Sequence, residues 1–183
     1  MSTTVASGVS HNALVTGPPR SGKTTAIERA VDRLRADGYA VGGIASPEIR
    51  ENGDRVGFEI IAVDGDAREV MAHVQYDEPT VGKYGVDAGA IDRLAKTLES
   101  ATDEADCVVV DEIAPMQLES ERFVSTVEEI LESPVPTLAA IADGDRGVLG
   151  EVKSRSDVET FGVTDETRDE LPEQLVAFVE ERL

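Results

Sequence analysis

The sequence predicts an α/β protein in which helices cover both faces of a mainly parallel β-sheet. Apolar strand patterns alternate with helical ones along the 183 residues, as expected where helices connect parallel strands. A glycine-rich loop joins the first strand to the first helix, and Asn-Gly at residues 52–53 indicates an inserted β-hairpin. With 40% hydrophobic and 30% charged residues, we assign residues 13–183 to one globular domain and residues 1–12 to a flexible polar leader.

The predicted elements of the first half begin with a short apolar strand at residues 13–16. A helix is expected over residues 23–37, where apolar residues recur at helical spacing and Gly38 is placed to end it. A second strand follows at residues 40–46, and the hairpin strands are expected at residues 48–50 and 55–63. Residues 66–86 show little periodicity, so we expect partly irregular structure around residues 80–86.

The second half continues the alternation of strands and helices. Asp87 is the expected N-cap of a helix that carries Ile91, Leu94 and Leu98. Residues 105–110 are almost continuously apolar, which is typical of a strand covered on both faces. A helix at residues 119–131, a strand at 136–142, a short helix at 149–154 and a strand at 158–163 follow. Pro172 is placed to begin the terminal helix.

The chain is strongly acidic. Asp and Glu number 37 against 17 Lys and Arg, giving a formal net charge of −20, and only four of the basic residues are Lys. The acids are scattered rather than gathered in a tail, which favours a high-salt cytoplasm where cations screen self-repulsion. A basic partner and a chance composition are the alternatives. Nucleic acid as a main partner is disfavoured because phosphate backbones require a basic face.

The sequence predicts a cytoplasmic protein. Cys107 is the single cysteine, so an internal disulfide is excluded, and its apolar neighbours predict a buried, inert thiol. Residues 1–12 lack the apolar core of a signal peptide. No run approaches the roughly 18 apolar residues of a membrane span. The sequence does not identify a protein partner.

The glycine-rich loop matches the pattern G-x-x-x-x-G-K-[ST] in full. Backbone N–H groups of such a loop, and the start of the following helix, surround a phosphate. Lys23 can then contact the β- and γ-phosphates, while the Thr24 hydroxyl can bind Mg²⁺. Because the motif lies between a predicted strand and a predicted helix, we expect it to bind a nucleoside triphosphate. The predicted binding residues are Gly17, Pro18, Pro19, Arg20, Ser21, Gly22, Lys23, Thr24 and Thr25.

Two acids, Asp111 and Glu112, directly follow the apolar run at residues 107–110. A buried strand would deliver Asp111 to the carboxyl edge of the sheet, where α/β proteins bind ligands. There Asp111 can hold Mg²⁺ through a water, and Glu112 can activate an attacking water as a general base. A solvated acidic pair at a strand end is the alternative. Only this strand combines four consecutive apolar residues with Asp-Glu, which favours hydrolysis.

Further sequence strings carry a family resemblance. They are R-V-G-F at residues 55–58, V-G-K-Y-G-V-D at residues 81–87 and D-E-I-x-x-M-x-L at residues 111–118, with Val163-Thr164 and Arg168-Asp169 near the end. Together with the phosphate loop, they resemble the small nucleoside-triphosphatases of the thermophile type, a family that has a human cancer-related member. The resemblance covers almost the whole chain.

This resemblance implies a three-layer P-loop NTPase fold of the RecA-like, additional-strand class. It also implies slow, Mg²⁺-dependent hydrolysis of ATP, GTP and other triphosphates, with Lys23, Thr24, Asp111 and Glu112 in the roles described above. The hairpin and the V-G-x-Y region would then lie near the nucleotide or flank its cleft.

The chain departs from the family pattern at four places. Arg20 stands where the family usually has Gly, and a positive φ there would strain the residue by about 1 kcal/mol. Ala114 replaces a Gly, Thr167 replaces an Asn, and residues 142–147 lack a proline-containing loop. None of these changes removes a group assigned to the chemistry, but nucleotide preference and rate depend on this region.

Several other side chains are weaker candidates. An arginine usually stabilises charge on the γ-phosphate, and Arg20, Arg146 and Arg155 could do so, although each is also explained as solvent-facing or ion-paired. Tyr84 could stack on a base or be a half-buried structural residue. His11 and His73 are isolated and lack metal-ligand spacing.

Three functional hypotheses follow. The first is a Mg²⁺-dependent nucleoside-triphosphatase in which Glu112 and Lys23 are catalytic. The second is a nucleotide or nucleoside kinase, although residues 143–156 supply only two arginines for a lid. The third is a nucleotide-dependent switch with slow hydrolysis.

Overall fold

The computed structural model describes residues 10–183, so residues 1–9 of the expected leader lie outside the described residues. Asn12 was assigned to that leader, but it is fully buried and begins the first strand. Its side-chain amide donates to the Leu131 carbonyl at 2.8 Å. The prediction for Asn12 is therefore wrong. Its side chain is polar like those of the leader, and the sequence does not show that a hydrogen bond allows it to be buried.

The element bounds follow the predicted order closely. The first half contains β1 (Asn12–Thr16), α1 (Lys23–Ala36), β2 (Val41–Ala45), β3 (Glu48–Glu51), β4 (Asp54–Ala62), β5 (Arg68–His73), β6 (Thr80–Val81) and β7 (Tyr84–Val86). The second half contains α2 (Ala88–Glu99), α3 (Ala101–Glu104), β8 (Cys107–Ile113), α4 (Glu121–Glu132), β9 (Thr137–Ile141), α5 (Gly147–Lys153), β10 (Val158–Gly162) and α6 (Leu171–Glu180). A short 3₁₀ helix, Gln117–Glu119, precedes α4.

In the described part of the chain, ten strands form one mixed sheet in the order β10-β1-β9-β8-β2-β4-β5-β7-β6, with β3 paired to β4. The pairs β10–β1, β1–β9, β9–β8 and β8–β2 are parallel. The predicted α/β fold with a parallel sheet is confirmed. Its antiparallel part is larger than one hairpin, since β4 pairs with both β2 and β5.

The segment around residues 80–86 was expected to be partly irregular, and this prediction is wrong. Strands β6 and β7 form an antiparallel pair, and β7 also pairs with β5, where Val86 lies opposite Ala72. Strands of two and three residues are too short to show an alternating pattern. Their conformation follows from the neighbouring strand β5 rather than from local periodicity.

Helices cover both faces of the parallel strands. Helices α1 and α6 pack on one face, and α2 and α4 pack together on the other. Successive β1 residues contribute to opposite layers, because Leu14 packs with the α2–α4 side while Val15 packs with the α1–α6 side. This double burial explains the continuous apolar runs of the central strands.

Two helix starts illustrate how local chemistry sets the bounds. The predicted N-cap Asp87 is confirmed, since its Oδ1 accepts from the Ala90 N–H at 3.2 Å. Helix α4 begins later than the expected residue 119, because the Ser120 hydroxyl caps it by accepting from the Phe123 N–H at 3.0 Å.

The β3–β4 hairpin extends past the carboxyl edge of the parallel strands. Only the last two residues of β4, Ile61 and Ala62, pair with β2, opposite Ala45 and Ile44. The rest of β4 therefore continues beyond the end of β2, on the side of the sheet where the loops following β1, β8 and β9 also emerge.

Within residues 10–183, no helix is both long and apolar enough to cross a membrane.

Candidate active site

The glycine-rich loop connects β1 to α1 in a tight turn. The Ser21 N–H donates to the Pro18 carbonyl at 3.1 Å, and the Ala26 N–H donates to the Gly22 carbonyl at 3.0 Å. Gly22 occupies the N-cap of α1 with φ 107°, and as a glycine it offers no side chain to the first N–H groups of the helix. These groups are therefore available to an anionic ligand.

Gly17 and Arg20 both adopt positive φ angles in this loop. At Gly17 (φ 153°) a Cβ atom would lie 2.6 Å from the Ser21 Oγ, so this position needs glycine. Arg20 has φ 67°, so it has the positive φ that would strain a residue other than glycine. A left-handed conformation costs a non-glycine residue roughly 1 kcal/mol or somewhat more.

Lys23 projects from the first turn of α1 toward the carboxyl edge of the sheet. Its ammonium lies 3.2 Å from the Glu112 Oε2 and donates to the Ile141 carbonyl at 3.3 Å. The Lys23 side chain is largely buried, whereas the Glu112 side chain is about one-third exposed. The phosphate-loop lysine and the acid expected to activate water are therefore direct neighbours.

Thr24 and Asp111 form the second contact between α1 and β8. The Thr24 hydroxyl lies 3.2 Å from the Asp111 Oδ1, and Asp111 is 5% exposed. Burial raises the pKa of the Asp111 carboxyl from an ordinary value of 3.8 to about 7, against the lowering effect of the Thr24 hydrogen bond. The carboxylates of Glu112 and Glu28 add to the increase.

A bulge in β8 lets two consecutive acids face the same helix. Asp111 lies opposite Ala140 of β9, and Ile113 lies opposite Ile141, so Glu112 is an extra residue between two paired positions. Successive strand residues normally point to opposite faces, and a bulge redirects a side chain. Asp111 therefore contacts Thr24 while Glu112 contacts Lys23.

The chemistry of the Thr24–Asp111 pair suits a hard divalent cation. A hydroxyl and a buried carboxylate supply oxygen ligands, and Mg²⁺ typically takes few ligands from the protein and completes its shell with water and phosphate. Within residues 10–183, no group of three or more His, Cys, Asp or Glu is placed to hold a metal.

The structure separates the three candidate arginines. Arg155 precedes β10, at the opposite edge of the sheet from the loop, and pairs with Asp157 through two contacts of 2.8 Å. The prediction that Arg155 contacts phosphate is therefore wrong, and the alternative, an ion-paired arginine, is confirmed. Arg20 lies in the loop, and Arg146 follows β9 at the carboxyl edge; both are exposed.

Tyr84 serves the packing of the antiparallel strands. It is 6% exposed, packs edge-to-face on Phe58 with ring centroids 5.3 Å apart, and its hydroxyl accepts from the Arg55 Nε at 2.9 Å. Tyr84 is therefore a structural residue, and it is buried rather than half-buried as expected. The same contacts join the R-V-G-F and V-G-K-Y strings in space.

Cys107 is fully buried as predicted, and burial raises its pKa to about 12.

Sequence reasoning missed two features of the site. The first is the Ile141 carbonyl, which accepts from Lys23; a backbone group has no residue-type signature. The second is the approach of Arg168 to the loop, where a Cβ on Gly22 would lie 3.7 Å from the Arg168 Cδ. The Arg168-Asp169 pair was recognised only as a family string, without a role.

Strand, phosphate loop, helix and a carboxylate pair on β8, which is separated from β1 by β9, define the class of this protein: it is a P-loop NTPase by fold and site. A family model described as NTPase matches residues 12–176, and the chain belongs to this NTPase family.

Similar proteins agree with this membership. Nucleoside-triphosphatase THEP1 of Methanothermobacter thermautotrophicus is 42% identical over 157 residues, covering 85% of this chain and 88% of the relative. The THEP1 of Methanopyrus kandleri is 38% identical over 175 residues, covering 94% and 97%. The crystal structure of THEP1 from Aquifex aeolicus matches with a TM-score of 0.82 at 29% identity, covering 92% and 99%. A human cancer-related nucleoside triphosphatase matches with a TM-score of 0.79 at 31% identity, covering 93% and 98%.

Proposed function

We propose that the protein hydrolyses nucleoside triphosphates to the diphosphate and inorganic phosphate, with Mg²⁺, slowly and with broad base specificity. Relatives at up to 42% identity are named nucleoside-triphosphatases. The observation that carries the proposal is the pairing of Lys23 with Glu112 beside the pairing of Thr24 with Asp111. We assign the activity to one domain that begins at Asn12.

Glu112 is the group that we assign to the attacking water. In loops of this kind the lysine contacts the β- and γ-phosphates, so we expect the γ-phosphate to lie next to the Lys23 ammonium. The Glu112 Oε2 lies 3.2 Å from that ammonium, which is within reach of a water that faces the phosphorus. Glu112 accepts a proton from this water or orients it, and Lys23 stabilises the charge that spreads over the γ-phosphate.

Thr24 and Asp111 are the residues that would hold Mg²⁺. An ion held there would neutralise charge on the phosphates. Thr24 would offer its hydroxyl to the ion, and Asp111 would hold the ion through a water from its buried position at the end of β8. Deprotonated Asp111 is the form required, which links metal binding to its raised pKa.

Slow turnover is consistent with the positions of the arginines. Within residues 10–183, no arginine forms a hydrogen bond or an ion pair with Asp111 or Glu112. An arginine that reaches the γ-phosphate raises turnover by roughly 10³- to 10⁵-fold in related chemistry. In this arrangement Lys23 and a cation would stabilise the charge, and Arg20 and Arg146 remain the candidate arginines at this edge of the sheet.

Glu112→Gln provides the principal test. The amide cannot accept the proton, so we expect turnover to fall by about 10²- to 10⁴-fold, while nucleotide affinity stays the same or increases because a carboxylate near the γ-phosphate is lost. Phosphate release and the binding of a fluorescent nucleotide measure the two quantities. Glu119→Gln, at an exposed acid in the 3₁₀ helix after the same strand, is the matched control and should keep normal turnover. Normal phosphate release by Glu112→Gln would remove Glu112 from the mechanism.

A substrate panel separates hydrolysis from phosphate transfer. Phosphate release is measured with ATP, GTP, CTP, UTP and their deoxy forms, and transfer to nucleosides and nucleotides is measured in parallel. Transfer much faster than release would favour a kinase. The same panel at several salt concentrations tests our inference of a high-salt cytoplasm, which is supported by the net charge of −20.

A further inference from the structure

A small pocket adjoins the phosphate loop on the side that faces α6. Its volume is about 270 Å³, near the lower end of ligand pockets. It shares Arg20, Ser21 and Gly22 with the loop and continues along the first turns of α1, so a ligand held by its phosphates in the loop can extend into it. The residues that matter are Ser21, Gly22, Thr25, Arg29, Arg168 and Asp169.

The charge of this pocket is opposite to that of the chain. Three arginines, Arg20, Arg29 and Arg168, line it against one carboxylate, Asp169, in a protein of net charge −20. Most arginines in the described residues form ion pairs, but Arg20 and Arg29 have no carboxylate within 4.0 Å in residues 10–183. Positive charge is therefore concentrated where a polyanion would enter.

Arg168 forms one wall of this pocket. Atoms of its side chain lie 3.7–3.8 Å from the position of a Cβ atom on Gly22, so the side chain lies along the rim of the phosphate loop. Its guanidinium pairs with the Asp165 carboxylate at 2.7 Å. The turn that carries it is held by the Thr167 hydroxyl, which donates to the Gly162 carbonyl at 2.8 Å.

A second, larger cleft lies on the other side of α1 and is a poorer site for the same ligand. Its volume is about 480 Å³, and three carboxylates, those of Glu28, Asp32 and Asp111, line it. One of its two arginines, Arg35, donates to the Val63 carbonyl at 2.9 Å. With three carboxylates and two arginines, this cleft lacks the excess of positive charge that the smaller pocket offers to an anionic nucleotide.

We propose that the smaller pocket binds the nucleoside part of the triphosphate, with the base stacked on the Arg168 guanidinium. This inference rests on the proposed function, since it places the remainder of the same substrate. A guanidinium plane stacks on the face of any base without reading its hydrogen-bonding edge. Arg168 is thus a positioning residue for the substrate and supports broad base specificity.

The test compares nucleoside triphosphates with inorganic triphosphate, which has phosphates and no base. In Arg168→Ala we expect KM for ATP, GTP, CTP and UTP to rise about tenfold, the loss of one stacking contact, while kcat is retained. The KM for inorganic triphosphate should rise much less, because this ligand loses an attracting charge but no stacking contact. Arg168→Lys keeps the charge without the plane, so most of the loss should persist. Arg122→Ala, which also removes an exposed, ion-paired arginine, is the control, and thermal melting checks folding of each variant.

Three outcomes would overturn the pocket assignment: equal losses for nucleotides and inorganic triphosphate, full recovery in Arg168→Lys, or wild-type affinity for inorganic triphosphate equal to that for ATP. Calorimetric binding of each ligand is measured beside turnover. Nucleotide binding without hydrolysis would refute the proposed function, while the binding data would still decide whether Arg168 contacts the base.

Discussion

Replacing Asp111 by Asn should make the unliganded protein more stable, and the gain should grow as the pH rises. Asp111 is 5% exposed, and burial raises its pKa from 3.8 to about 7. Its ionised form is therefore unfavourable in the folded protein unless a cation is bound. Asn keeps the size and a hydrogen-bonding oxygen for Thr24 but never acquires the charge.

The sign and size of this effect follow from proton linkage. Because the folded pKa is higher than the unfolded one, the stability linked to this proton is fully present below pH 3.8 and is lost as the pH rises through 7. A difference of roughly three pH units corresponds to about 4 kcal/mol above pH 7, and about a third of this is already lost at pH 5. For a chain of this length, 4 kcal/mol corresponds to a Tm difference of about 10 °C.

Thermal unfolding in EDTA, without nucleotide, measures this prediction at pH 5 and pH 8. The Tm of Asp111→Asn minus that of the wild type should be larger at pH 8. Asp143→Asn, at an exposed acid after β9, should show little change at either pH. A Tm difference for Asp111→Asn that is equal at the two pH values, or that is negative at pH 8, would show that the buried carboxylate does not destabilise the unliganded fold.

Two further predictions concern the backbone. Gly43→Ala should lower the free energy of unfolding by more than about 3 kcal/mol, because a Cβ there would lie 1.9 Å from the Val109 carbonyl oxygen. The control Gly53→Ala, whose Cβ would meet no atom within 4 Å, should lose only about 1 kcal/mol. Equal denaturation midpoints for the two variants would contradict this prediction. Arg20→Gly should raise the unfolding free energy by up to about 1 kcal/mol, because glycine adopts φ 67° without strain. The freedom of glycine in the unfolded chain offsets part of this gain. A denaturation midpoint below that of the wild type would contradict the strain at Arg20.

Much of the fold could be predicted because its strands are buried on both faces and its helices on one. The apolar run that ends at Val110 and the helical stripe of α1 reflect these two kinds of burial directly. The Asn52-Gly53 turn was predictable for a different reason: both residues adopt positive φ, which these two residue types tolerate. In each case one short segment contains the whole physical cause.

Features that depend on two distant segments could not be predicted in the same way. The extra residue at Glu112 is defined by the register of β8 against β9, and strand β7 is defined by its pairing with β5. The approach of Arg168 to Gly22 joins residues that are far apart in the chain. The residue types at these positions are compatible with several arrangements, and only the packed sheet selects one.

The contacts of the unliganded site also indicate how an acidic protein can accept a polyanion. Lys23 pairs with Glu112 at 3.2 Å, and a phosphate oxygen can take the place of the carboxylate at this ammonium. On our proposal, this exchange transfers Lys23 to the γ-phosphate and leaves Glu112 free to take up the attacking water. Asp111 changes in the opposite direction, from an unfavourable buried acid to a carboxylate that faces a cation. If Mg²⁺ binds with the triphosphate as we propose, its binding would relieve the electrostatic strain of the site as it assembles the groups for hydrolysis.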